Sequence, residues 1–282
     1  MMTKNTNDKN KFLRFLYGTI PGRVLLRPLC GRKLSHILGK FLDTGLSRPL
    51  IKVFIKSNHI DITECEKNRF QSFNDFFTRS LKPNARPLPK EKNILFSPCD
   101  GLLSAYHITN DLVLPIKQSC YKISDLLGNS PIKNDLENGI CLVFRLCVDH
   151  YHRYCYIDDG IKGDNIFIPG KLHTIRPIAL EKTPVFIQNC REYTIMETEN
   201  FGTVVQVEVG AMLVGKICNL HNAGIISRGK EKGMFLYGGS TIILLLEECN
   251  VSINDSLFTA TRKGLETPVK MGQPIGRSLL KP

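Results

Sequence analysis

No stretch of this 282-residue chain approaches the ~18 apolar residues of a membrane-spanning helix, so the chain is not expected to cross a bilayer. The ten cysteines (30, 65, 99, 120, 141, 147, 155, 190, 218 and 249) form no C-x-x-C pair, which argues against a zinc centre or a redox dithiol. The first residues are polar, and the apolar run at 12–16 is too short and charge-broken for a secretory signal. Scattered thiols without such a signal read as reduced and cytosolic. Internal repeats, a low-complexity linker and a phosphate-cradling glycine loop are also missing. Acidic residues are scarce at the front: within 1–56 only Asp8 and Asp43 face 12 lysines and arginines. Most of the net charge of +12 therefore belongs to this segment, and the rest of the chain is close to neutral.

That basic front is also apolar at helical spacing. Leu34, Ile37, Leu38, Phe41, Leu42 and Leu46 recur beside Arg32, Lys33 and Lys40. Ser47-Arg48-Pro49 is expected to restart a helix, with Ser47 as N-cap and Pro49 in the first turn. Residues 1–11 read as a polar, disordered tail. Residues 1–58 are thus expected to form a basic amphipathic segment that lies on an anionic membrane surface, the competing reading being a helix packed on its own core. Nucleic acid is not expected as a partner, because few aromatics are interleaved with the charges and no binding motif is present.

Residues 59–282 read as the second unit. A short helix is expected over 72–81, and another at 123–127. Short apolar strands are expected at 101–108, 112–116, 139–148, 166–168, 193–197, 203–209, 212–217 and 241–246, punctuated by Gly, Asn and Pro. This spacing predicts an α+β fold: a mainly antiparallel β body, Greek-key or barrel-sandwich-like, with N-terminal amphipathic helices.

The candidate chemistry centres on Gly238-Gly239-Ser240 ahead of the strand at 241–246. A glycine carbonyl is open to close approach, and a serine hydroxyl beside it is a nucleophile when a base is near. Asp100, in Ser97-Pro98-x-Asp100-Gly101, sits at a turn before a strand. His150 and His152 lie two apart at a strand end and so share one face in an extended chain. Hydroxyl, imidazole and carboxylate are the parts of an activated serine. Taken alone, each has a plain structural explanation as a turn or a core residue. Composition leaves a serine hydrolase and a chance scatter equally open, and Gly-Gly-Ser is not the G-x-S-x-G elbow.

Several stretches in order resemble the phosphatidylserine decarboxylases. They are Phe73…Phe76-Phe77-Thr78-Arg79…Arg86-Pro87, Ser97-Pro98-x-Asp100-Gly101, Tyr151-His152-Arg153, Asn189-x-Arg191, Val209-Gly-Ala211…Val214-Gly215, Gly238-Gly239-Ser240-Thr241 and Val269-Lys-Met-Gly-Gln-Pro274. Together they span about 70–277. The resemblance implies a self-processing enzyme. Ser240 would attack the Gly239 carbonyl, and the chain would part into a β chain, 1–239, and an α chain, 240–282, held together noncovalently. A pyruvoyl group made from Ser240 would serve as the cofactor through a Schiff base with the substrate amine, with no pyridoxal phosphate and no metal. Asp100 and His152 would be the relay partners of Ser240, with His150 as second candidate base. Many family members have Tyr-His-Arg-x-His where this chain has Cys155, which makes Cys155 a secondary candidate. The implied partner is phosphatidylserine in an anionic membrane, the implied location the cytoplasmic face of the cell membrane as a peripheral protein, and further homo-oligomerisation is left open. Two competing readings stand: a pyruvoyl decarboxylase of a soluble amino acid, and a non-catalytic membrane-surface binding protein.

Overall fold

In the computed structural model the described residues are 3–4, 11–109, 113–116, 119–128, 130, 132, 136–174, 179, 184–211, 216–236 and 240–280. At the centre is the Ser240–Leu246 strand, every residue of which is buried. It pairs on one side with Ile140–Leu146, Ser240 opposite Leu146, and on the other with Gly202–Val209, Thr241 opposite Val209. The sheet continues through Gly101–His107, Leu265–Val269 and Thr3–Lys4 in one direction. In the other it runs through Arg191–Thr198, which also carries Ile166–Ile168, to Gly160–Lys162 and Gly224–Ile226. All these pairings are antiparallel. Among the described residues this path runs from one edge to the other without closing into a barrel.

The continuous apolar sequence of the central strand follows from burial on both faces. Ile243 and Leu245 point to a core shared with Val205, Val207 and Val143, over which Leu16, Tyr17 and Leu26 of the first two helices pack. These helices are Lys11–Gly18 and Ile20–Leu29. Ile242, Leu244 and Leu246 point to the opposite core, with Phe144, Tyr154 and Phe235 and with Leu257 and Phe258 of the Asp255–Arg262 helix. Two small antiparallel sheets cover that face, Ile217–Asn219/Glu231–Phe235/Arg153–Cys155 and Val251–Ile253/Pro274–Ser278/Ile94–Phe96. The body is thus sheet on sheet with helices outside, the α+β, sandwich-like arrangement that the strand spacing predicts.

A third, smaller core joins Leu42 and Ile51, from helices Arg32–Leu42 and Arg48–Asn58, to Phe73, Phe76 and Phe77. Phe54 meets Phe73 edge-on at 5.0 Å. The helix expected over 72–81 stops after Phe73–Phe77. Its continuation is captured by longer-range partners: Ser80 O accepts from Glu66 N at 3.0 Å, and Leu81 bridges Cys65. Ser47 does not cap the helix that follows it. Its hydroxyl accepts from Phe73 N at 2.8 Å and donates to Thr44 O at 2.7 Å, so it ties two helical segments together instead.

Residues 3–4 pair with Leu265 and Glu266, and a helix begins at Lys11. The tail expected over 1–11 therefore carries local structure at 3–4; positions 1, 2 and 5–10 lie outside the described residues. Most of the strand expected at 212–217 lies outside them too, and a strand begins at its last residue, Ile217–Asn219.

Candidate active site

Ser240 is the first residue of the central strand and is fully buried. Gly238 and Gly239 lie outside the described residues. Across the ladder, Leu146 leads directly into the 147–150 turn, where His150 N donates to Cys147 O at 3.0 Å. The alignment of the Ile140–Leu146 strand thus delivers both histidines to the end of the sheet where Ser240 sits. His152 is held from its own backbone as well, its carbonyl accepting from Phe235 N at 2.9 Å.

The two imidazoles are bonded in opposite senses. His152 is fully buried, with its ring centroid 4.0 Å from that of Phe77. Its Nδ1 lies 2.9 Å from the His150 carbonyl oxygen. A carbonyl only accepts, so Nδ1 carries the proton and Nε2 presents a lone pair. That Nε2 is buried and has no hydrogen-bond partner among the described residues. Burial, then the positive fields of His150 and Arg79, hold the His152 pKa well below the usual histidine value. The ring is therefore a neutral base. In half-buried His150, Nδ1 accepts from Cys147 N at 3.0 Å, which leaves the proton on Nε2 in the neutral ring. Its pKa is also lowered, by burial, against the opposing pull of Asp149 and Asp100.

Asp100 is buried at the turn before the Gly101–His107 strand. Arg86 grips it with two bonds, Nε to Oδ1 at 2.8 Å and Nη2 to Oδ2 at 2.6 Å. Met271 N donates to the same carboxylate at 2.8 Å. Gly272 makes that last contact possible. It has φ +86°, and a Cβ there would stand 2.3 Å from Pro87 O, so the 270–273 turn requires glycine. Both carboxylate oxygens are thus occupied, and no hydrogen bond joins Asp100 to His152 or His150. Asp100 acts on His150 through its field alone.

Cys155 lies under this site, with its Sγ 3.5 Å from Pro98 O and its N–H donating to the same oxygen at 3.0 Å. Burial pushes the thiol up to about 12, which keeps it protonated and unreactive at neutral pH. Cys147, Asp149 and His150 bring one ligand-type atom each within 4.8 Å of one another. However, Arg145 Nη1 lies 3.1 Å from Cys147 Sγ, and a guanidinium among the ligands repels a cation.

Sequence reasoning gave no role to two arginines of the aromatic stretch. Arg86 is the clamp on Asp100 and also bonds Glu64 at 2.8 Å. Arg79 is buried against Phe76, 5.3 Å from its ring centroid, and reaches the carbonyls of Asp149 and His150. The sequence signal was present, since a cation directly after Phe76-Phe77-Thr78 stands next to an aromatic run that a core is expected to bury. Both residues of Asn189-x-Arg191 are structural. Arg191 donates to Leu126 O, Asp125 O and Ile187 O, which closes the ends of two short helices. Asn189 holds Gly210 O at 2.7 Å and His173 O at 2.8 Å.

Fold and site together define a class: an α+β protein whose central antiparallel strand begins with a buried serine, and whose neighbouring strand, paired with it from that residue on, leads into the turn that carries two histidines. Residues 73–277 match the model of the phosphatidylserine decarboxylase family. The chain is 44% identical over 271 residues to phosphatidylserine decarboxylase proenzyme 2 of Clostridium acetobutylicum, covering 96% of this chain and 93% of that one. It is 41% identical to a phosphatidylserine decarboxylase proenzyme of Clostridium botulinum (94% and 92% covered) and 38% identical to one of Clostridium beijerinckii (96% and 93% covered). The chain belongs to the phosphatidylserine decarboxylase family.

Proposed function

We propose that this protein is a self-processing decarboxylase that converts phosphatidylserine to phosphatidylethanolamine and carbon dioxide. Membership of the family supports the activity, and the proenzyme names of its relatives support the processing. The observation that carries the reading is Ser240, buried at the head of the central strand, at the position where the sequence gives Gly-Gly-Ser.

In processing, the Ser240 Oγ attacks the Gly239 carbonyl. Its proton passes to a base, and the peptide C–N bond breaks as nitrogen takes up a proton, leaving an ester. Removal of the Cα proton of residue 240 expels the Gly239 carboxylate. Water then displaces ammonia and leaves a pyruvoyl group at the head of the new chain. His152 is the base, because its tautomer leaves Nε2 unbonded and its depressed pKa keeps that lone pair available. Asp100, fixed by Arg86, acts by its negative field on His150. Cys155 fills space under the turn.

The pyruvoyl carbonyl supplies the electron sink that a decarboxylation needs. Around it the chain excludes water, since Ser240, Thr241 and Leu146 are all buried. His150, whose neutral ring carries its proton on Nε2, is the donor suited to return a proton to carbon.

Membrane attachment through the N-terminal helices belongs to the same reading. Their inner faces are in the cores, yet Ile20, Val24, Ile37, Leu46 and Val53 are each more than 60% exposed among the basic residues of this segment. Exposed apolar groups interleaved with cations suit an anionic lipid surface. No described helix is long and apolar enough to cross a membrane, and the attachment proposed here is peripheral. A soluble amino acid as substrate would leave this surface without a purpose.

The mass of the purified protein tests the reading. Cutting should yield a fragment spanning 240–282 with a blocked N-terminus, and Ser240→Ala should stay a single 31.8 kDa chain that does not decarboxylate phosphatidylserine. Turnover by the uncut variant would refute the mechanism.

A further inference from the structure

Arg79 is 5% exposed, and neither Nε nor Nη1 has a hydrogen-bond partner among the described residues. Its Nη2 makes only long contacts, 3.3 Å to Asp149 O and 3.4 Å to His150 O. The Cys65 thiol lies nearby and is a weak acceptor. Asp100 is within electrostatic reach, but its oxygens are taken by Arg86 and Met271 N. A buried guanidinium without a matched anion is costly, and natural cores tolerate few unbonded charged nitrogens. Every contact it does make fixes its place: the Phe76 ring beside it, and the carbonyls of the turn that begins beside Leu146, the ladder partner of Ser240.

Resting on the proposed activity, we propose that Arg79 receives the phosphodiester oxyanion of the lipid headgroup. The headgroup carries two anions, and differential binding chooses between them. A cation paired with the carboxylate would stabilise the charge that must leave that group in the transition state, and so raise the barrier. The phosphodiester keeps its charge throughout, so a guanidinium there binds substrate and transition state equally. Arginine also suits the shape of a phosphate better than lysine does. Arg79 is on this view a binding residue that sets the apparent affinity and leaves the chemical step alone.

Three probes on the cut enzyme separate the anions: short-chain phosphatidylserine, short-chain phosphatidylethanolamine, which lacks the carboxylate, and L-serine, which lacks the phosphate. Each is trapped by borohydride on the chain that starts at residue 240, and the adduct is weighed as a function of probe concentration. Arg79→Gln should still cut itself. It should weaken trapping of both lipids by about tenfold or more, the scale of a lost charge-assisted bond, and leave L-serine unchanged. Arg79→Lys should fall between it and the wild type. Weaker trapping of phosphatidylserine and L-serine with phosphatidylethanolamine unaffected would move the role to the carboxylate and overturn the proposal. Equal trapping of all three probes by variant and wild type would also overturn it, as would failure of both variants to cut. A wild-type chain that neither cuts nor traps any lipid would instead defeat the proposed function.

Discussion

His150 and His152 are separated by one residue yet are held as opposite tautomers, one by a backbone N–H and the other by a carbonyl. The sense of each bond decides which ring takes a proton and which gives one. This leads to a pH prediction for self-cutting. In its proposed role as base His152 acts only when neutral, and its folded pKa is lowered from 6.5, chiefly by burial. The rate of cutting should therefore stay level as pH falls from 7.5 to 6, and decline only at lower pH. An ordinary histidine would already be mostly protonated at pH 6. The check is the time course of fragment appearance, by mass, for freshly folded precursor across that range. A decline centred at or above pH 6.5 would remove His152 from the role.

At the scale of elements, the apolar runs at 140–146 and 240–246 were legible in the sequence because strands buried on both faces need no polar alternation. The residues around the site were less so. That Asp100 would stand before a strand could be read from Pro-x-Asp-Gly; that Arg86 and the 270–273 turn would close on it could not, because those partners are far apart in the chain. Likewise Ser47 carries the local signature of an N-cap, and a contact with Phe73 takes its hydroxyl elsewhere. The short helix at 73–77 ends for the same kind of reason. Helix faces, by contrast, show a divided loyalty: Leu16, Tyr17 and Leu26 are in the core while Ile20 and Val24 are exposed. Removing the whole segment would strip a core, so point changes give the cleaner experiment. Ile20→Glu with Val24→Glu should leave the melting temperature within a few degrees and reduce sedimentation with anionic vesicles severalfold, since each change removes apolar area and adds repulsion. Undiminished sedimentation would detach this surface from the membrane.

For the whole molecule, the fragment after residue 239 contributes to the large sheet at two separated places, Ser240–Leu246 and Leu265–Val269, with Gly101–His107 and Ile140–Leu146 of the longer piece between them. It also supplies Val251–Ile253 and Pro274–Ser278, which pair with each other, the latter pairing in turn with Ile94–Phe96. The two pieces are interleaved, so the ladders themselves hold them together. On the proposed mechanism folding precedes cutting, because the strand that Ser240 heads and the strand that leads to the histidines are brought together only by the sheet. Interleaving also changes the molecularity of folding. The precursor, as Ser240→Ala, should refold from urea with a yield independent of dilution. The cut protein must assemble from two species, so its refolding should slow and its yield fall as the solution is diluted. Equal recovery of both over a hundredfold dilution would show that one piece holds its fold without the other. If the dependence appears, the cut acts as a ratchet: a chain that folds as one molecule becomes a pair that, once denatured, has lost its route home.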